Sequence, residues 1–161
     1  MLFTPRPKGL GGQNFLKLND GESVTGAFRG DIYKFKRHWV NGRGVECDGP
    51  TCTVCKAAQG DKKQFPTFRF RINFVTNKDN QWSAKIFESG GETYDLLETL
   101  DKKYDLSKMA VEITRIGLGT KTKYQIFPLK DYPITDELKK KLESVSLHAL
   151  STQTDDNEMP D

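Results

Sequence analysis

Residues Arg29–Cys55, RGDIYKFKRHWVNGRGVECDGPTCTVC, carry two signals end to end. In an extended chain side chains alternate between faces, so Arg29, Tyr33, Phe35, Arg37 and Trp39 fall on one side of a strand. His38 lies within that run, and Cys47, Cys52 and Cys55 follow it; these are the only three cysteines of the chain. Cys52-Thr-Val-Cys55 is a CxxC turn, and Gly49-Pro50 bends the chain so that Cys47 approaches the same point. Thiolates and an imidazole are soft ligands that suit zinc, and a Cys₃His set is a closed tetrahedral shell. The stretch therefore predicts a structural Zn²⁺ held by His38, Cys47, Cys52 and Cys55, with His148 as the alternative fourth ligand. Chance neighbours and a redox CxxC are the competing readings, but no βαβ pattern surrounds the pair as a thioredoxin-like motif requires.

Outward from this stretch the chain reads as mainly β. Residues 1–14 are rich in Pro and Gly and are expected to form a flexible arm. Val24, Gly26, Phe28 and Ile32 alternate with polar positions, predicting a long first strand that bends near Gly30. The metal-binding insertion covers about residues 38–64. In Thr67–Thr76, Phe68, Phe70, Ile72 and Phe74 face one way and Arg69, Arg71 and Asn73 the other. After a turn at Asn77–Gln81 a third strand, Trp82–Glu88, has Lys85 opposite Trp82, Ala84 and Ile86. Residues 92–104 switch period, with Tyr94, Leu97, Leu100 and Tyr104 forming the stripe of an amphipathic helix. Strands return at Met109–Ile113 and Lys121–Phe127, joined by a loop with Gly117 and Gly119, and Pro128 and Pro133 are expected to stop the sheet. Thr135 caps a last helix over 135–150, striped by Leu138, Leu142, Val145 and Leu150. Five strands with one helix between the third and fourth is the order of a five-stranded OB-fold barrel, here over residues 15–134.

Composition narrows the class. The chain has 161 residues, 35% hydrophobic and 29% charged, enough for one globular domain with tails. No apolar run approaches a membrane span of about 18 residues, and the Pro- and Gly-punctuated start does not resemble a signal peptide. An odd cysteine count fits a reducing compartment, so the expected location is the cytoplasm. The net charge of +3 becomes +7 on residues 1–150 once the four carboxylates of the last eleven residues, STQTDDNEMPD, are set aside. A basic body with an acidic tail (Asp155, Asp156, Glu158 and Asp161, residues 151–161) predicts a polyanionic ligand and a disordered segment that competes with it or docks a partner.

Single strands are held by basic grooves and by rings on which bases stack. Tyr33, Phe35 and Trp39 interleaved with Arg29, Lys34, Lys36 and Arg37 supply that chemistry. Arg69, Arg71 and Lys85 on the next strands, and Arg115, Lys121 and Lys123 around the glycine loop, extend the candidate surface. Aromatic residues on strands are more often core, and Phe68, Phe70, Phe74 and Tyr124 are assigned there. The shared face with Arg29 and Arg37 separates Tyr33, Phe35 and Trp39 from them, because unpaired arginines do not enter a core. No recognition helix or basic helical stripe is present for duplex reading.

Residues Leu18–Leu129, about two thirds of the chain, resemble the replicative single-stranded DNA-binding proteins of tailed phages. The likeness is carried by Gly21-Glu22-Ser23-Val24 leading into the basic-aromatic strand, by His38 with the three cysteines, and by Thr114-Arg115-Ile116-Gly117 through Gly119 to Tyr124-Gln125-Ile126. It implies an OB-fold with zinc bound by His38 and the cysteines. It further implies DNA contact at Arg115, sequence-tolerant binding of single strands in replication, recombination or repair, and an acidic tail for replication or recombination proteins. The ending Met159-Pro160-Asp161 departs from relatives whose tails end in an aromatic residue. A non-catalytic binder of single-stranded DNA, or of RNA, is thus the expected function. A zinc-containing transcription regulator or adaptor is the alternative. A zinc-dependent nucleic-acid enzyme fits less well, since no H-x-E deaminase motif is present.

Overall fold

The computed structural model describes residues 12–58, 60 and 65–151. Its elements are β1 (Ser23–Val40), β2 (Arg43–Glu46), α1 (Thr53–Ala58), β3 (Thr67–Lys78), β4 (Gln81–Gly90), α2 (Gly91–Tyr104), β5 (Met109–Ile116), β6 (Lys123–Pro133) and α3 (Asp136–Glu143). All six strands join one antiparallel sheet in the order β4-β3-β1-β5-β6, with β2 paired to the far end of β1. The five expected strands and the helix between the third and fourth are present in sequence. The sixth strand, β2, lies inside the insertion. The path is open: no ladder joins β4 to β6 among the described residues. Side chains span that gap instead, with the Phe87 ring meeting Tyr124 edge-on at 5.0 Å.

β1 is the strand that the others share. It pairs with β5 over Ser23–Gly26, with β3 over Gly26–Arg37 and with β2 over Arg37–Val40. Its bend is a bulge: Arg29 pairs with Asn73 and Tyr33 with Arg71, so four steps on β1 match two on β3. Gly30 sits there at φ +76, in the left-handed region that glycine enters without strain. Two of the hairpins close through two residues of positive φ, Asn41-Gly42 between β1 and β2 and Asp79-Asn80 between β3 and β4, the turn geometry that matches strand twist.

The inner face of the sheet holds the main core. Phe28, Phe70, Ile72, Phe74, Phe87, Val111, Ile113 and Ile126 meet Leu97 of α2, with Phe68, Tyr94, Leu100 and Tyr124 packed around them. A smaller cluster on the outer face joins Ala27, Val75 and Ala84 to Leu142 of α3, flanked by Leu138, Val145 and Trp82. β3 is consequently buried on both sides from Arg71 to Thr76. The start of the described chain lies along the free edge of β4, where Leu16 donates its N–H to the Ile86 carbonyl at 2.8 Å.

Two expectations are corrected. Pro128 does not stop the sheet; it pairs with Val111 inside β6, an edge strand whose outer side needs no N–H donor. The last helix ends at Glu143 rather than near 150. Beyond it the chain gains more by crossing the outer face, where side chains of β3 offer hydrogen bonds, than by one exposed helical turn. The 1–14 arm is described only from Gly12, whose short 3₁₀ turn runs to Asn14; the remainder lies outside the described residues. No helix among the described residues is long and apolar enough to cross a membrane.

Gly26 marks the tightest approach in the sheet. It pairs with both Thr76 and Val111, and a Cβ there would stand 2.4 Å from the Val75 carbonyl oxygen and 2.8 Å from the Phe74 ring. Gly26→Ala is expected to lower stability by about 1–3 kcal/mol through overpacking, read as a lower denaturant midpoint with unchanged slope. An unchanged midpoint would mean that the sheet yields at this point without cost.

Candidate metal centre and outer strand face

The β1–β2 hairpin assembles the first site. His38 points to the side of β1 opposite Arg37, pairs with Val45 across the hairpin and is only 2% exposed. Cys47 follows β2 directly, its N–H donating to the Lys36 carbonyl at 2.7 Å. The 3₁₀ turn Gly49–Thr51 then reverses the chain, so that Cys52 enters buried and Cys55 comes round on the first turn of α1. Their ligand atoms lie within 4.8 Å of one another. The Cys47 and Cys55 sulfurs are 3.6 Å apart, and His38 Nε2 is 3.5 Å from Cys52 Sγ and 3.2 Å from Cys55 Sγ. A tetrahedral ion with bonds of about 2.0–2.3 Å sets ligand-to-ligand edges of about 3.5–3.8 Å. The group could therefore hold a metal ion, as the spacing predicted. The crowded sulfurs already differ in acidity. Cys52 is drawn down to about 6, chiefly by the backbone N–H of Cys55. Cys55 is pushed up to about 11, chiefly by burial and then by its neighbouring sulfurs. A cation among them removes that conflict by favouring every thiolate at once. His148, the alternative ligand, lies elsewhere, its Nε2 2.8 Å from the Ala84 carbonyl oxygen.

The second site is on the other face of the same strand. Because the bulge adds an even number of residues, Arg29, Tyr33, Phe35 and Arg37 keep a common side, and the β3 register sets Arg71 opposite Tyr33 and Arg69 opposite Phe35. Arg71 faces Glu88 across β3–β4. Three guanidiniums converge on that carboxylate: Arg71 Nε donates to Oε1 at 2.7 Å, and Arg37 Nη1 and Arg69 Nη2 to Oε2 at 3.1 Å each. The Arg71 guanidinium stands 4.1 Å above the Phe35 ring and that of Arg37 4.7 Å above Trp39. Tyr33 stacks on Phe35 with centroids 5.6 Å apart and donates its hydroxyl to Glu46. Burial first, then the like charge of Arg69, lowers the Arg37 pKa. Phe35 is buried, between Tyr33 and Arg71, whereas Trp39 is 64% exposed.

Residues 144–151 cross this outer face. Asn73 binds the His148 backbone in both directions, donating to its carbonyl at 3.0 Å and accepting its N–H at 2.9 Å. Arg71 Nη1 donates to the Leu150 carbonyl at 3.0 Å, and the Ser151 hydroxyl reaches Tyr33. Glu88 and this crossing segment were not among the candidate residues. Alternation sets Glu88 with Trp82, Ala84 and Ile86, opposite Lys85, and only the β3–β4 register brings it beside Arg71. The crossing segment has no such signature.

The other candidates do not join the cluster. Arg29 donates to the Phe28 and Ser107 carbonyls. Lys34 and Lys36 are exposed and pair with Phe70 and Phe68, on the side away from the arginines. Lys85 pairs with Phe74, hence also on that side, and its Nζ donates to the Gln13 carbonyl at 3.0 Å. Arg115 is a loop clamp, donating to the Leu18 carbonyl at 2.7 Å, the Gly117 carbonyl at 3.2 Å and the Thr122 hydroxyl at 3.1 Å. Lys121 is exposed on the turn that follows, and Lys123 makes an exposed ion pair with Glu92 at 3.7 Å. Asp155, Asp156, Glu158 and Asp161 lie outside the described residues.

Elemental analysis of protein purified without chelator should find about one metal ion per chain, released on acidification as thiolates and imidazole take up protons. Cys52→Ser should lose the metal and loosen β2 and α1 while the sheet core persists, seen as faster amide exchange confined to residues 38–58. Arg115→Ala should lower stability by about 1–3 kcal/mol through lost charged hydrogen bonds. A change only in ligand affinity, with stability intact, would overturn the clamp assignment.

No protein-family model, no curated protein and no solved structure matches this chain.

Proposed function

We propose that the protein is a non-catalytic single-stranded DNA-binding protein built on an OB-type barrel and stapled by a structural Zn²⁺. The observation that carries this reading is the outer strand face: Arg37, Arg69 and Arg71 on two adjacent strands, interleaved with Tyr33, Phe35 and Trp39. Such a face offers phosphates a fixed positive charge and offers bases a ring, without the hydrogen-bonding code that reads sequence. Strand order supports the fold assignment, since a three-strand meander (β1, β3, β4), a helix and a two-strand return beside β1 is the OB arrangement. Four protein ligands fill a tetrahedral shell, which favours a structural ion, and three sulfurs with one nitrogen favour zinc. The His38 side of the hairpin then anchors the strand end on which Trp39 stands.

Titration of the full chain with poly-dT, poly-rU and a duplex of equal length, each at two salt concentrations, tests the reading. Tight, salt-dependent binding of poly-dT with weak duplex binding is the expected result; equal binding of duplex would overturn it. Trp39→Ala should weaken single-strand binding by about 1–3 kcal/mol, the worth of one stacked base, without lowering the melting temperature. The acidic residues 155–161 are proposed to compete for the same face, because the described chain ends at Ser151 against Tyr33. A short tether keeps their local concentration high there. Removing residues 152–161 should therefore tighten binding at low salt, and the gain should fade as added salt screens the tail.

A further inference from the structure

The arginine cluster is under-neutralised. Arg37, Arg69 and Arg71 share the single carboxylate of Glu88, and the four side chains are only 19%, 24%, 9% and 15% exposed. Three positive charges face Glu88, with Glu46 paired opposite Arg37 on the same face and bound by Tyr33, so positive charge stays in excess in a place that water reaches poorly. Charge excess of that kind is unfavourable unless a further anion relieves it. Acceptors within the cluster are fewer than its donors: among the described residues Nε of Arg37 and of Arg69 are buried with no hydrogen-bond partner. The guanidiniums are also held in place, by the Phe35 and Trp39 rings and by Gly44, where a Cβ would come within 2.6 Å of Arg37 Cδ. The Leu150 carbonyl takes one further donor from Arg71.

We infer that Glu88 is an internal counter-anion, which shares its three arginines with a backbone phosphodiester of the bound strand and so holds affinity and salt dependence below what those arginines alone would give. The inference rests on the single-strand-binding reading above and adds to it a residue of opposite sign to the ligand-binding set. Its chemistry is competition for donors. A carboxylate offers about four lone-pair sites, and here three guanidinium N–H groups use them. A phosphate entering the cluster must share those donors and also meets the carboxylate's negative charge. Glutamine at this position keeps the length and one acceptor oxygen, so the arginines keep a partner while the opposing charge is lost.

The test compares the wild-type full chain with Glu88→Gln on an oligo-dT across a salt series, with melting temperatures recorded for both. The expected result is binding about three- to tenfold tighter for Glu88→Gln at low salt, with a salt slope steeper by about one ion, as one more unit of protein charge displaces counterions. Equal affinity and equal slope in a folded variant would overturn the inference while leaving the single-strand reading in place. Weaker binding with an unchanged slope would also overturn it, since that is the signature of a purely structural carboxylate. Failure of the wild-type protein to bind oligo-dT would remove the functional reading itself. Should Glu88→Gln not fold, Glu88→Asp is measured in its place. Aspartate draws the charge back from Arg37 and Arg69, and a smaller tightening is expected; no change would overturn the inference.

Discussion

β1 is hydrogen-bonded in turn to β5, β3 and β2, and the even-numbered bulge at Gly30 is the constraint on which both candidate sites depend. Had the bulge added one residue, every side chain beyond it would have changed face. Tyr33, Phe35 and Arg37 would then point to the side of Phe70 and Phe68, and His38 would leave the cysteines. Adding two residues lets the strand bend while keeping arginines on one face and His38, beside the cysteines, on the other. The two sites are thus coupled through one backbone, since Arg37 and His38 are adjacent residues on opposite sides of it.

Burial of charge on the outer face follows from the same geometry. A strand such as β3, covered on both sides, should carry apolar residues throughout, yet Arg71, Asn73 and Thr76 are buried on it. Arg71 and Asn73 are tolerated because their partners are supplied from other parts of the chain. Glu88 and the Leu150 carbonyl serve Arg71, and the His148 backbone serves Asn73 in both directions. The C-terminal segment therefore completes the hydrogen bonds of side chains that β3 turns outward. The described part of that segment ends beside Tyr33, and Trp39 stands 64% exposed farther along β1.

Residues whose role looked alike in composition separate by register. Lys85 and Arg71 are both basic residues on neighbouring strands, but Lys85 pairs with the core residue Phe74 and Arg71 with Glu88. Arg115 carries a guanidinium beside a glycine loop, the setting in which a phosphate contact is expected, yet three of its nitrogens are committed to protein oxygens. A basic residue's availability is decided by the acceptors that the fold brings to it, and several of those are backbone carbonyls that a sequence does not distinguish.

The amino-acid sequence by itself determined the alternation in Thr67–Thr76, the helical period around Leu97, the Thr135 cap and the gathering of His38 with the three cysteines, because each is a local pattern over a few residues. The Asn41-Gly42 turn was legible too, and with it β2 could have been placed, since that dipeptide adopts the positive φ values a tight hairpin needs. Only the tertiary structure decided that Pro128 lies within an edge strand, that the last helix ends at Glu143, and that Arg37, Arg69 and Arg71 share Glu88. These depend on pairings between residues far apart in the chain, such as Asn73 with His148, whose free energy arises only once the sheet exists to hold both partners. Local periodicity reports which face a side chain takes; what waits on that face is set by the rest of the fold.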